Sequence, residues 1–163
     1  MRVVIANDHG AVALKKELAS WLESEGHEVV NLGVDVEDRV DYPDIAVAAC
    51  AEFKKGGYDL GVLLCGTGIG VAIAANKIPG VRAACCHDTY SAERSRASND
   101  AQILTMGARV VGPELALRIL DTWLQTEFGG GPSARKVAKI TALEQRFMTG
   151  PIPRPTHGED PAQ

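Results

Sequence analysis

The sequence predicts an α/β fold: a single doubly wound domain, with a parallel sheet of about five strands and helices on both faces, of Rossmann or flavodoxin-like type. Three observations carry this. Apolar runs rich in β-branched residues alternate with segments of helical period, which marks βαβ units. The run at 58–65 is almost continuously apolar, as in a strand buried on both faces. The chain of 163 residues is the length of one domain and long enough to bury a core.

The elements follow in order. A first strand spans 2–6. A helix follows over 11–25, with Leu14, Leu18, Trp21 and Leu22 on one face and charges expected on the other; Gly26 ends it. Residues 28–32 read as the second strand and the polar stretch 33–41 as a loop. Pro43 suits the first turn of a helix over 43–55, which Gly56-Gly57 breaks. The third strand, 58–65, enters a glycine turn at 66–70 and a short helix at 71–77. A fourth strand at 81–86, a helix at 90–97 and a fifth strand at 101–106 come next. A helix over 113–128 carries Leu115, Ile119 and Trp123 on a stripe. The last helix, 133–148, has Ser133 as its expected N-cap. Residues 1–149 form the domain, and the proline-rich tail at 150–163 is expected to be disordered.

Composition narrows the function. A formal charge of −4 argues against broad affinity for nucleic acid or anionic membrane, and leaves room for a local basic pocket that takes a phosphate. No apolar run reaches the roughly 18 residues of a membrane span. The N-terminus enters a strand directly, without the pattern of a signal peptide. Cys50, Cys65, Cys85 and Cys86 show neither C-x-x-C spacing nor a disulfide framework. A reducing, cytoplasmic setting is the expectation.

In open parallel sheets ligands collect at the carboxyl ends of the strands, so the chemistry is sought there. Cys65-Gly66-Thr67-Gly68-Ile69-Gly70 is the sharpest feature. A strand feeds a glycine turn that opens a helix, so amide N–H groups converge to hold a phosphate or a developing oxyanion. The dinucleotide fingerprint is G-x-G-x-x-G; the spacing here is G-x-G-x-G, on the third strand, which weighs against nucleotide binding despite Asp88 about 20 residues on. Cys65 reads either as a buried thiol or as a nucleophile or base, because neighbouring amides and a helix start favour a thiolate. Thr67 stands within expected hydrogen-bonding reach of the sulfur. Asp8 reads equally as a helix cap or a ligand, and His9 as a proton carrier or phosphate donor. Cys85-Cys86-His87 is no metal cluster, since consecutive strand side chains face opposite ways, and both cysteines are assigned to the core. Arg109, after a strand and beside Gly107, is an anion anchor or an ordinary surface cation.

Taken together, Asn7-Asp8-His9-Gly10, Asp41-Tyr42-Pro43-Asp44, the Cys65 to Gly70 turn, Ala74-Ala75-Asn76-Lys77, Ser98-Asn99-Asp100-Ala101 and Gly107-Ala108-Arg109-Val110-Val111-Gly112 resemble the type B ribose-5-phosphate isomerases. The wider ribose/galactose isomerase group includes galactose-6-phosphate isomerases. The likeness runs over 1–147, in order and with matching spacing. It implies an aldose–ketose isomerase of sugar phosphates, working through an enediolate on D-ribose 5-phosphate. It also implies a homodimer, or a dimer of dimers, whose sites are completed by the neighbouring chain, with no metal or organic cofactor. Cys65 is then the base and Thr67 its helper. The amides of Gly66, Gly68, Ile69 and Gly70 hold the enediolate oxygen, and Asp8 moves the hydroxyl proton. Tyr42 and Asn99 line the sugar, while His9 and Arg109 face the phosphate or ring oxygen.

Two departures stand out. Many members carry histidine just before the Asn99 position, where it opens the cyclic sugar; here it is Ser98. Many place an Arg-His pair and a further Arg at the start of the last helix, to clasp phosphate; this chain has Pro132-Ser133 and Lys136, with Arg135 adjacent. A lysine keeps the charge but loses the bidentate fork. Either His87, ending the adjacent strand, replaces the ring opener, or the substrate has no ring. D-erythrulose 4-phosphate meets the second condition, because its esterified O4 cannot close a furanose. A rival of another class is a non-catalytic nucleotide- or phosphate-binding module.

Overall fold

A computed structural model describes residues 1–36 and 38–148. The expected disordered tail lies outside them. Five strands, β1 (Arg2–Asn7), β2 (Glu28–Asn31), β3 (Leu60–Cys65), β4 (Ala83–Cys85) and β5 (Ile103–Gly107), form one all-parallel sheet in the order β2-β1-β3-β5-β4. The helices are α1 (Val12–Ser24), α2 (Tyr42–Lys54), α3 (Ile69–Ala75), α4 (Thr89–Ala97), α5 (Pro113–Leu124) and α6 (Gly131–Phe147), with a 3-10 turn at His9–Ala11 before α1. The predicted doubly wound sheet is present, and element ends move by a few residues.

Strand alternation divides the core into two. Val3, Ile5, Val62, Leu64, Leu104 and Met106 face α1 and α5 and pack on Leu14, Leu18, Leu22, Ile119, Leu120 and Trp123. Ala6, Leu63, Cys65 and Ile103 face the other way, onto Ala46, Ala49 and Cys50 of α2 and Val71 and Ala75 of α3. A strand flanked on both sides must be apolar at every position, and all six residues of β3 are buried.

The structure corrects four details. Lys15 is not on the solvent face of α1: it lies one residue past Leu14 and three before Leu18, and it is buried with them. On α5, Leu115 is exposed and the buried stripe is Ala116, Ile119, Leu120 and Trp123, because α5 starts on Pro113 with that face turned to the sheet. Ser133 does not cap α6. The chain turns at Gly130 and Gly131, both at positive φ, so Ser133 is already helical. Cys85, the last residue of the edge strand β4, is exposed, whereas its neighbour Cys86 points the opposite way and is buried as expected.

The chain leaves β1 for β2 on one side and returns to β3 on the other. The switch point therefore lies between the carboxyl ends of β1 and β3, where this class of sheet opens a crevice. The order of the last two strands also matters. Because β5, not β4, pairs with β3, the turn after Gly107 is delivered beside Cys65.

Candidate active site

The site is built at that switch point. The Asp8 amide donates to the Leu64 carbonyl (3.1 Å), which joins the end of β1 to the end of β3. A Cβ on Gly10 would come within 3.6 Å of the Gly66 nitrogen, so the Asp8–Gly10 turn abuts the glycine turn. From the other side, the Ala108 and Arg109 amides donate to the Cys65 and Gly66 carbonyls (2.9 and 3.0 Å). The Arg109 side chain lies along Gly66, where an added Cβ would meet its guanidinium stem at 3.6 Å.

Gly68 shapes the turn. Its φ is 75°, a left-handed conformation that glycine adopts without strain. A Cβ there would also lie 2.7 Å from the Met106 carbonyl carbon. With that geometry the Gly68 N–H points back to the Cys65 sulfur at 3.1 Å, while the buried Thr105 hydroxyl donates to the Gly68 carbonyl at 2.8 Å. The Cys65 side chain is buried on the α2–α3 side of the sheet.

Thr67 does not take the expected place. Its Oγ1 accepts from the Ile69 amide (3.3 Å), and the bond to the Cys65 sulfur comes from Gly68 instead. Two of the expected anion-holding amides, Gly68 and Ile69, are thus engaged within the turn. Among the described residues the N–H groups of Gly66 and Thr67 have no protein acceptor, and they remain for an incoming oxygen. Tyr42, the first residue of α2, lays its ring on Gly70, where a Cβ would stand 2.7 Å from the ring edge.

Asp8 takes the cap role of its two sequence readings. One carboxylate oxygen accepts from the Gly10 amide (2.9 Å) and caps the 3-10 turn, while the residue sits 8% exposed beside Gly66. His9 accepts the Val40 amide on Nδ1 (3.4 Å), so the neutral ring carries its proton on Nε2. His87 does the converse: its Nε2 accepts from the Gly107 amide (3.0 Å), which leaves the proton on Nδ1. Gly107 in turn is pressed on the Thr67 backbone, so His87 braces the active turn.

Burial pushes Cys50 and Cys86 up to about 11 and raises Cys85, so all three stay protonated near neutrality. Among the described residues no three His, Cys, Asp or Glu side chains gather in a way that could hold a metal ion.

The remaining expected residues lie elsewhere. Ser98 ends α4, and its hydroxyl accepts from the Arg94 guanidinium one turn earlier. Asn99 lines a cavity of about 460 Å³ with Arg94, Ser91, Arg82 and Cys85. Arg135 and Lys136 are exposed on α6. Among the described residues no hydrogen bond or ion pair connects these four to the Cys65 turn. Sequence reasoning missed Thr105 and Arg94. The i to i+4 spacing of Arg94 and Ser98 on one helix was a readable signal; the Thr105 contact crosses the sheet and left none.

The Ribose/Galactose Isomerase family profile matches residues 3–140. A ribose-5-P isomerase B of Listeria innocua is 48% identical over 146 residues, 90% of this chain and 99% of its own. A D-erythrulose-4-phosphate isomerase of Pectobacterium atrosepticum is 46% identical over 147 residues, 90% of this chain and 97% of its own. Among solved structures, ribose-5-phosphate isomerase B of Clostridium thermocellum superposes with a TM-score of 0.88 at 48% identity, covering 90% of this chain and 99% of that one. With its glycine turn at the switch point and its strand order in place, this chain belongs to the ribose/galactose isomerase family.

Proposed function

We propose that the protein interconverts an aldose phosphate and a ketose phosphate by moving one proton between C1 and C2, with Cys65 as the base. The observation that carries this is the pairing of the Cys65 sulfur with a turn whose Gly66 and Thr67 amides are open. Removing a proton beside a carbonyl places negative charge on oxygen, so base and amide donors must be neighbours. The Cys65 thiolate takes the proton from C2 of the aldose. The electron pair forms the C1–C2 double bond, and the carbonyl oxygen becomes the enediolate oxygen held by the amides. Asp8 passes the hydroxyl proton between O2 and O1, and the thiol then returns its proton to C1. Arg109, lying along Gly66, and His9 are placed to face the phosphate or ring oxygen.

D-ribose 5-phosphate is the first substrate on the strength of the relatives' names. A specific observation favours D-erythrulose 4-phosphate as the second reading. Position 98 offers no proton carrier, for the Ser98 oxygen is engaged by Arg94 and a guanidinium does not deprotonate. An open-chain substrate has no need of one there.

The working unit is a cytoplasmic homodimer in which Asn99, Arg135 and Lys136 of one chain complete the crevice of the next. Support comes from α6, which has no buried residue and exposes Ile140, Leu143 and Phe147. Such an apolar face is suited to burial against a partner.

The test is isomerisation of tetrose, pentose and hexose phosphates in deuterated water, followed by NMR. Turnover with deuterium at the exchanged carbon is the expected result. No turnover of any sugar phosphate, with tight binding of a mononucleotide, would establish the binding-module alternative instead.

A further inference from the structure

Lys15 is an anomaly on α1. Its side chain is 1% exposed, and lysine is almost never buried unless paired. The partner is Asp35, which is 68% exposed and belongs to the connection between β2 and α2. Asp35 also accepts from Asn31 (3.4 Å), and its carboxyl is held below the usual range by the Lys15 hydrogen bond and charge. The expensive, buried end of the pair is therefore on α1, and the solvated end is on the connection that follows β2.

That segment leads to two site residues. Its first half is tied to the end of β1 by Asn7, whose Nδ2 donates to the Val34 carbonyl at 3.1 Å, and to α1 by Lys15 through Asp35. Its second half donates the Val40 amide to His9 Nδ1 at 3.4 Å, then enters α2 at Tyr42, whose ring rests on Gly70. Lys15 touches neither the glycine turn nor His9 by any hydrogen bond or ion pair among the described residues. We infer that Lys15 is a positioning residue: through Asp35 it fixes the 33–41 connection, and so sets the tautomer and orientation of His9 and the seat of Tyr42 against the glycine turn.

The kinetic arm of the test rests on the isomerase reading; a spectroscopic arm does not. Lys15→Met fills the buried space without the charge, Lys15→Arg keeps the charge, and Asp35→Ala cuts the pair from the loop side. Lys15→Met and Asp35→Ala should each raise KM for the sugar phosphate by about tenfold, with kcat changed less than about threefold, because what is lost is placement of binding groups. Lys15→Arg should return most of the loss. Independently, imidazole nitrogen shifts should report Nε2–H for His9 in the wild type and a mixture of tautomers in Lys15→Met. A Lys15→Met protein with lowered thermal stability but native KM and a native His9 tautomer overturns the proposal. If Lys15→Met does not fold, Asp35→Ala decides by the same two readouts. If even the wild type turns over no sugar phosphate, the isomerase reading fails, and the His9 signal still decides the role of Lys15.

Discussion

The four thiols of this chain are separated by their surroundings. Cys50 and Cys86 are pushed to about 11 by burial alone or nearly so, and Cys85 is raised for the same reason. Cys65 is buried too, yet its sulfur receives a backbone N–H from a glycine that no other residue replaces without strain. Cys65→Ala should lower kcat by about 10²–10⁴-fold, the usual worth of a positioned base, with an unchanged melting profile. Cys85→Ser should leave turnover within about threefold, since that sulfur lies nearest the Thr67 carbonyl and His87 and receives no amide. Wild-type rates in Cys65→Ala would remove the thiol from the mechanism. Substrate choice can also be tested at single residues. Ser98→His should improve turnover of ribose 5-phosphate and leave that of erythrulose 4-phosphate unchanged, because only the cyclic sugar meets a ring-opening barrier. His87→Ala is a poorer probe, as the imidazole also holds the Gly107 amide against Thr67. Equal gains on both sugars in Ser98→His would detach that position from ring opening.

Among the elements, the turn from β3 into α3 is the most constrained. Gly68→Ala forces a side chain into φ of 75° and places its Cβ 2.7 Å from the Met106 backbone, so destabilisation by about 1–3 kcal/mol is expected, with loss of activity. Chemical denaturation of the variant checks the first figure. The start of α4 gives a pH signature. Asp88 caps it by accepting from the Ser91 amide (2.6 Å) and hydroxyl (2.7 Å), and these bonds hold its carboxyl below the usual carboxylate range. A depressed folded value means the stabilisation is present above about pH 4 and fades as pH falls through it. Asp88→Ala should therefore melt lower than wild type at pH 7, and the gap should narrow as pH falls below about 4; a deficit that does not narrow would assign the effect to something other than the charged cap. Elements of this kind were legible where one local rule governs. Alternating apolar runs gave away the five strands, and Cys65 before a glycine turn marked the site. Lys15 was misjudged because charge outweighed its position on the Leu14–Leu18 face. Ser133 was misjudged because two positive-φ glycines begin α6 earlier, and Cys85 because edge position is a property of strand order.

At the scale of the molecule, strand order is what no local pattern could supply. Placing β5 between β3 and β4 brings Arg109 to Gly66, although β4 comes first in the chain. The same scale explains why the expected site arrives in two pieces. Asp8, Tyr42, Cys65 and Arg109 converge around one turn, whereas Asn99, just past α4, and Arg135 and Lys136, on α6, have no hydrogen bond or ion pair to it among the described residues. In the proposed homodimer, two chains related by a twofold axis would each lend the residues after α4 and on α6 to the other, and the unburied α6 supplies apolar surface for such a contact. This arrangement has a strict consequence for mixtures. Cys65→Ala lacks the base, and Asn99→Ala combined with Lys136→Ala lacks the lent groups, so each homodimer should be nearly inactive. Unfolding and refolding the two together gives hybrids in about half of the dimers if pairing is random, and each hybrid holds one site with neither lesion and one with both. About a quarter of the wild-type sites should therefore return, read as recovered kcat at unchanged KM. If the lent groups instead act within their own chain, no site in the mixture is intact and nothing returns. Light scattering that finds a monomer with full activity would end the shared-site account outright.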